Sequence, residues 1–177
     1  MSTFKIIKAS AIEQEVDAIV NAANRYLLSG GGICGAIFKK AGYKELRIEC
    51  DKVKTPLKDG DAVITSSCNI TNAKYIIHAV GPNFNVTPDA FDKLYNAYYN
   101  SLLLLKKYNL HSVSFPLISS GIFGSSLDNP IYESTKCAIR AYKDFTKNNI
   151  DYDINMLLCT YKISEYNDAL KVYRGEV

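Results

Sequence analysis

Apolar side chains recur with the two-residue period of a strand in some segments and with the roughly 3.6-residue period of a helix in others. The two kinds of segment alternate along the chain. Residues 3–8 alternate apolar and polar side chains, which is typical of a half-buried strand. Residues 75–80 are apolar at both parities, as expected of a central strand covered on two faces. Helical spacing separates the strand signals. The pattern predicts strands at 3–8, 17–20, 61–65, 75–80, 111–115 and 153–159, and helices at 33–41, 44–53, 88–108, 130–145 and 164–173.

Capping residues support three of these helix boundaries. Thr87-Pro88 and Asn129-Pro130 each combine an N-cap residue with proline at the first helical position. Gly42 follows the first helix and is a natural C-terminal stop. Strands and helices alternate through most of the chain, without a repeat or a linker. We therefore predict one domain over residues 1–177 with an α/β fold, in which helices cover both faces of a mostly parallel sheet of about six strands.

Composition and charge exclude several classes of protein. The 177 residues carry a net charge of only +3, spread along the chain, so a nucleic-acid partner is not expected. No apolar run approaches the ~20 residues of a membrane helix, and the N-terminus lacks the apolar core of a signal peptide. Five cysteines without metal-ligand spacing predict free thiols and no metal site. We expect a soluble, cytoplasmic monomer that uses no cofactor.

Two glycine-rich segments carry the strongest functional signal. Residues 30–35 read GGGICG and residues 119–124 read SSGIFG, and each segment follows a strand and precedes a helix. In a parallel sheet both loops lie at the carboxyl ends of the strands, where α/β proteins bind ligands. Glycines at a helix start leave bare N–H groups at the positive end of the helix dipole, which suits phosphate. The sequence therefore predicts a phosphate site built from two loops.

Two common nucleotide motifs do not fit these loops. Residues 30–35 match the dinucleotide fingerprint in letters, but about nine residues separate them from the preceding strand, where the fingerprint requires a direct turn. Glu49 and Asp51, at the spacing of the ribose-binding acid, fall inside a predicted helix. No Gly-Lys-Ser/Thr follows the glycines, so the P-loop is absent. The loops favour a diphosphate held by backbone N–H groups.

Four segments of the chain closely resemble the macro domain family, and they occur in the family's order. The resemblance extends from about residue 4 to residue 174 and implies the macro domain fold, a three-layer α/β/α sandwich around a mixed sheet. It also implies ADP-ribose binding, and many members hydrolyse ADP-ribose from acidic side chains or deacetylate O-acetyl-ADP-ribose. The four segments are VDAIVNAAN at 16–24, GGGI at 30–33, YIIHAVGP at 75–82 and FPLISSGIFG at 115–124.

The resemblance assigns roles to individual residues. Asn24 matches the asparagine that binds the distal ribose, Phe123 an aromatic residue beside that ribose, and Tyr161 the aromatic residue that packs on adenine. Asn24, Gly32 and Phe123 would act around the scissile bond. The ligand-binding residues implied in this way are Ser10, Ala11, Asn21, Asn24, Gly31, Gly32, Ile33, Cys34, Ser119, Ser120, Gly121, Ile122, Phe123 and Tyr161.

Structural roles compete with these assignments. The alternative role for Asn24 is to cap its own loop and nothing more. The alternative for Phe123 is a place entirely within the core. Tyr161 can be an ordinary surface tyrosine, because tyrosine is abundant in this chain. His78 lies within a buried strand, where we expect a hydrogen-bonded core histidine rather than a catalytic base.

Two positions depart from the family pattern. Ser10 stands where the family usually has an aspartate that accepts from the adenine amino group, and a hydroxyl accepts without charge, so weaker adenine selectivity or affinity is expected. Cys34 stands where hydrolytic members commonly carry an aspartate proposed to orient or activate water. A thiol at a helix N-terminus can have a lowered pKa, but a small residue here can also serve only to let the ligand approach.

These observations predict that the protein binds ADP-ribose, free or attached to a protein, and hydrolyses ADP-ribosyl esters. Position 34 supports an alternative, a binding module that recognises ADP-ribose without cleaving it. A cysteine-dependent enzyme on the same scaffold is a third hypothesis.

Overall fold

Six strands form a single sheet in the computed structural model, which describes residues 1–177. The strands are β1 (Thr3–Lys8), β2 (Ala18–Ala23), β3 (Ala62–Ser66), β4 (Tyr75–Val80), β5 (Ser112–Phe115) and β6 (Asn155–Thr160). Their order across the sheet is β1-β6-β5-β2-β4-β3. All neighbouring pairs are parallel except β3 and β4. The sheet is therefore mixed and mostly parallel, as predicted.

Five helices cover the two faces of this sheet. They are α1 (Gly32–Ala41), α2 (Tyr43–Cys50), α3 (Phe91–Lys107), α4 (Pro130–Asn148) and α5 (Ile163–Arg174). The three C-terminal helices pack on one face in the larger core cluster, and the first two helices pack on the other. This arrangement confirms the predicted three-layer α/β/α sandwich. None of the five helices combines the length and the hydrophobicity that a membrane-spanning helix requires.

Successive side chains of the central strands enter different cores. In β2, Ala18 and Val20 belong to the cluster under α3 to α5, whereas Ile19 and Ala23 belong to the cluster under α1 and α2. Strand β4 divides its residues in the same way. Because alternate side chains of a strand point to opposite faces, a sheet covered on both sides needs apolar residues at every position. The continuous apolar runs in the sequence follow from this packing.

The two proline-containing helix signals have different outcomes. Asn129 caps α4, and its side chain accepts a hydrogen bond from the N–H of Tyr132 at 3.0 Å. The prediction at Thr87-Pro88 is wrong, because α3 begins at Phe91 with Ala90 as its N-cap. The N–H of Thr87 donates to the carbonyl of Asn83 at 2.9 Å, so Thr87 closes an earlier turn instead of opening the helix.

Among the other boundaries that differ from the prediction are the end of α2 and the end of β2. Helix α2 ends at Cys50 instead of residue 53, because the N–H groups of Lys52 and Val53 close a turn with Glu49 and Cys50. Strand β2 continues to Ala23, three residues beyond its predicted end. The longer strand places Asn21 inside the sheet, which changes its role at the site described below.

Candidate functional site

A cavity of about 800 Å³ opens at the carboxyl ends of β1, β2, β5 and β6. Both glycine loops contribute to its wall, which confirms that they lie on the same rim of the sheet. The wall includes every residue of the predicted ligand-binding set except Asn21. The remaining lining residues are Ala9, Ala22, Ala23, Gly30, Ala36, Pro116, Leu117, Cys159 and Glu165.

The first loop presents the N-terminus of α1 to the cavity. Gly31 is the N-cap and makes no side-chain cap bond, and Gly32 has φ +57°, a left-handed backbone that favours glycine. The N–H groups of residues 31–34 donate to no protein acceptor. A Cβ atom at Gly35 would lie 2.5 Å from the carbonyl oxygen of Gly30, so only glycine lets this loop pack against its helix. The loop therefore offers a row of free donors at the positive end of a helix dipole.

The second loop offers a second row of donors. None of the N–H groups of residues 119–123 donates to a protein acceptor. Ser119 has φ +55°, and its hydroxyl donates to the carbonyl of Pro82 at 2.8 Å. A Cβ atom at Gly124 would collide with the carbonyl oxygen of Ser119, which explains the glycine that ends the motif. The loop is thus held in a curved shape that turns its N–H groups away from protein acceptors.

A buried hydroxyl network anchors the start of the second loop. The N–H of Ile118 donates to the Tyr98 hydroxyl at 2.9 Å, and this hydroxyl lies 2.7 Å from Ser134 Oγ. Ser134 Oγ donates in turn to the carbonyl of Ile118 at 2.7 Å. Tyr98 and Ser134 are fully buried, and burial raises the pKa of Tyr98. Helices α3 and α4 therefore fix the backbone from which the loop departs.

Asn24 lines the cavity while holding its own loop together. Its Oδ1 accepts from the N–H groups of Tyr26 at 3.2 Å and Leu28 at 3.0 Å. Its Nδ2 donates to the carbonyl of Leu28 at 2.8 Å. A carboxamide has two acceptor positions and two donor protons, so one N–H remains for a ligand. The predicted pairing of Asn24 with ribose hydroxyls is therefore available as a donor only.

Asn21 lies behind the cavity wall, and the structure does not bring it to the ligand-facing residues. It is 1% exposed, because its position in β2 directs the side chain into the core under α1 and α2. Its Nδ2 donates to His78 Nδ1 at 3.1 Å. His78 Nε2 lies 2.9 Å from Thr65 Oγ1, within hydrogen-bond distance. His78 is a hydrogen-bonded core histidine as expected, and burial lowers its pKa to about 4.

Cys34 is buried at the floor of the first loop. Its Sγ lies 3.5 Å from the carbonyl oxygen of Leu28 and 3.8 Å from Asn21 Nδ2. Burial raises the pKa of the Cys34 thiol above its ordinary value, and hydrogen bonds from Asn21 and the Gly30 backbone oppose only part of this effect. The thiol is therefore not activated as a nucleophile. The five cysteines are all free thiols.

Ser10, Tyr161 and Glu165 lie at the other end of the cavity. The parallel pairing of β1 with β6 brings Lys8 beside Thr160, so the residues that follow both strands share this end. Tyr161 is 80% exposed, which leaves its ring free to stack on a planar group. Glu165 was missed in the sequence. The one local signal for it was its place as an acidic residue in the first turn of the predicted final helix. That helix follows a strand that ends at the same edge of the sheet as the glycine loops.

Backbone dipoles dominate the electrostatics of the cavity. No lysine or arginine lines it, and Glu165 is its only carboxylate. Two rows of N–H groups without a protein acceptor nevertheless belong to residues of its wall, and such rows suit anions. The fold and the site together define an α/β protein with a two-loop anion site at the carboxyl edge of its sheet.

Comparison with known proteins identifies the family. A family model described as Macro domain matches residues 20–131, and the chain belongs to the macro domain family. It is 39% identical over 173 residues to the macro domain-containing protein TTE0995 of Caldanaerobacter subterraneus subsp. tengcongensis, which covers 96% of this chain and 94% of that protein.

Two further similarities concern a named enzyme and a solved structure. The chain is 36% identical over 172 residues to the ADP-ribose glycohydrolase MACROD2 of Xenopus laevis, covering 96% of this chain but 38% of that protein. A structure of the Oceanobacillus iheyensis macrodomain with ADP superposes with a TM-score of 0.86 at 32% identity, covering 99% of this chain and 92% of that one.

Proposed function

We propose that the cavity binds ADP-ribose. The observation that carries this proposal is that two rows of residues with unpaired N–H groups, 31–34 and 119–123, line one cavity without a cationic side chain. A diphosphate matches them because it offers many acceptor oxygens along one chain of atoms. The exposed ring of Tyr161 would stack on the adenine, and Asn24 would reach the distal ribose. The ADP in a similar macrodomain supports the nucleotide part of this ligand.

We further propose that the protein hydrolyses ADP-ribosyl esters, on acidic side chains of proteins or in O-acetyl-ADP-ribose. The similarity to a named ADP-ribose glycohydrolase supports this activity. The free N–H of Asn24 would hold a distal ribose hydroxyl. Gly32 and Phe123 would form the walls around the scissile bond. Positioning of this kind can supply much of the rate enhancement of an enzyme.

The substrate would have to assist its own hydrolysis. The lining residues at the distal ribose end include no carboxylate and no histidine, and the Cys34 thiol has a raised pKa. The remaining group that can accept a proton or orient water there is the bound diphosphate. Ligand binding and water activation would then depend on the same two loops.

A binding module that does not cleave ADP-ribose is the second candidate. Its support is the environment of Cys34, because a buried thiol cannot take the place of an aspartate that orients water. Such a module would bind ADP-ribose but leave the ester intact.

Two measurements test these proposals in order. Calorimetry with ADP-ribose tests binding, and no binding at millimolar ligand would contradict both candidates. Incubation with a glutamate-ADP-ribosylated protein or O-acetyl-ADP-ribose then tests hydrolysis. Release of ADP-ribose or acetate supports the enzyme, whereas binding without release supports the module.

Variants at Asn24 and Cys34 separate the mechanisms. Asn24→Asp keeps an acceptor oxygen for the N–H groups of Tyr26 and Leu28 but removes both N–H donors, the free one and the one bonded to the Leu28 carbonyl. We expect it to lower turnover by roughly 100-fold. Cys34→Ser should keep turnover, because the thiol has no chemical role in this mechanism. Loss of turnover in Cys34→Ser, with normal activity in Asn24→Asp, would show that the protein is a cysteine-dependent enzyme.

A further inference from the structure

Glu165 occupies an unusual position in the cavity. It lies in the first turn of α5 and is the only carboxylate among the lining residues. Ser10 and Tyr161 also line the cavity, and they follow the paired strands β1 and β6. An acidic group is not needed to hold a diphosphate, since it repels anions. Glu165 follows β6, which is two strands away from the strand that leads into the first glycine loop. We therefore expect a role of Glu165 other than binding the diphosphate.

One oxygen of the Glu165 carboxylate already accepts hydrogen bonds from the protein backbone. Its Oε2 accepts from the N–H of Tyr161 at 3.0 Å and from the N–H of Lys162 at 3.0 Å. Its Oε1 has no donor in the protein. Two backbone hydrogen bonds therefore hold the side chain in one orientation, and the second oxygen is left as a fixed acceptor beside the residue that presents its ring to the ligand.

We infer that Glu165 selects the base of the ligand by accepting a hydrogen bond from the exocyclic amino group of adenine. This inference rests on the proposed binding of ADP-ribose. A carboxylate only accepts, so it favours a purine with a 6-amino group and disfavours one with a 6-oxo group, whose oxygen is also an acceptor. The Ser10 hydroxyl can donate or accept, so it discriminates poorly between the two bases. Glu165 would supply the charge that position 10 lacks.

The competing explanation is that Glu165 only caps α5. The two explanations separate with Glu165→Gln. The amide oxygen of glutamine can keep the bonds from Tyr161 and Lys162, and its NH₂ group then takes the place of Oε1. A free acceptor thus becomes a free donor, while the helix cap is preserved.

The test is calorimetric binding of two ligands, ADP-ribose and inosine diphosphate ribose, which differ at position 6 of the purine. We expect the wild-type protein to prefer ADP-ribose by about tenfold, the low end expected for one hydrogen bond to a charged group. In Glu165→Gln the preference should disappear or reverse, with an unchanged midpoint of thermal unfolding. Asp168→Asn removes one negative charge from the same helix outside the cavity, and it should keep the wild-type preference.

Three results would overturn the inference. An unchanged preference in Glu165→Gln would show that Glu165 is only a cap, and ADP-ribose binding would then stand without it. Loss of the preference in Ser10→Ala but not in Glu165→Gln would assign base selection to Ser10. If the wild-type protein bound neither ligand, both the inference and the proposed function would be wrong.

Discussion

Gly31 and Gly32 form a matched pair for testing the backbone of the first loop. A Cβ atom at either position would have no heavy atom within 4 Å. The two backbones differ, because φ is −83° at Gly31 and +57° at Gly32. An L-residue in the left-handed region is disfavoured by about 1–2 kcal/mol. Gly31→Ala and Gly32→Ala should therefore differ in strain and not in packing.

We expect Gly32→Ala to be less stable than Gly31→Ala by about 1–2 kcal/mol. Both substitutions reduce the entropy of the unfolded chain equally, so this contribution cancels when the two variants are compared. For a chain of 177 residues, the difference corresponds to roughly 2–8 °C in Tm. Gly32→Asn should fall between the two, because asparagine tolerates the left-handed region better than alanine does.

Urea unfolding of the ligand-free protein, followed by circular dichroism, measures this difference. The three variants should share one m-value, since none changes the surface exposed on unfolding. Equal free energies of unfolding for Gly31→Ala and Gly32→Ala would refute the reasoning. Such a result would mean that residue 32 does not need a left-handed backbone to start α1.

Two further predictions concern His78 and Tyr161. Burial lowers the pKa of His78 to about 4 from an ordinary value near 6.5. The unfolded chain then binds the proton first, so stability should fall by up to about 3 kcal/mol between about pH 6.5 and pH 4. The free energy of unfolding, measured by urea titration at a series of pH values, should lose this pH dependence in His78→Gln and keep it in His111→Gln. An unchanged pH dependence in His78→Gln would show that His78 is not its source. Tyr161→Ala should weaken ADP-ribose binding by ~1–3 kcal/mol while leaving stability within about 0.5 kcal/mol, because the side chain is exposed. Unchanged affinity by calorimetry would remove Tyr161 from the site.

The two helix starts that the sequence predicted from a cap residue followed by proline differ in outcome, because only one of them has its capping partner nearby. At Asn129 the side chain bonds to Tyr132, three residues away, and this contact needs nothing else from the fold. Thr87-Pro88 has the same type of signal, but the N–H of Thr87 is used by the carbonyl of Asn83. Thr87 therefore belongs to a different local turn, and α3 begins only at Phe91.

In the candidate site too, features set by local sequence were predictable and features set by distant contacts were not. Both glycine loops were predictable, because their residue types and their places after strands appear directly in the sequence. Asn21 lies behind the cavity wall, because the end of a strand depends on its pairing, and Asn21 is paired with His78 of β4. Glu165 was missed because the pairing of β1 with β6 brings its helix to the rim. That contact joins residues more than 150 positions apart.

The sequence by itself determined the α/β class, the layered architecture and the two loops, because these follow from side-chain period and from the backbone freedom of glycine. Only the tertiary structure decided which N–H groups stay unpaired and which side chains reach the cavity. Those properties depend on contacts between distant segments, such as the hydrogen bond from the N–H of Phe84 to the carbonyl of Phe123. The core cluster that buries Cys34 likewise joins distant segments, since it includes Ile76 and Val80 of β4.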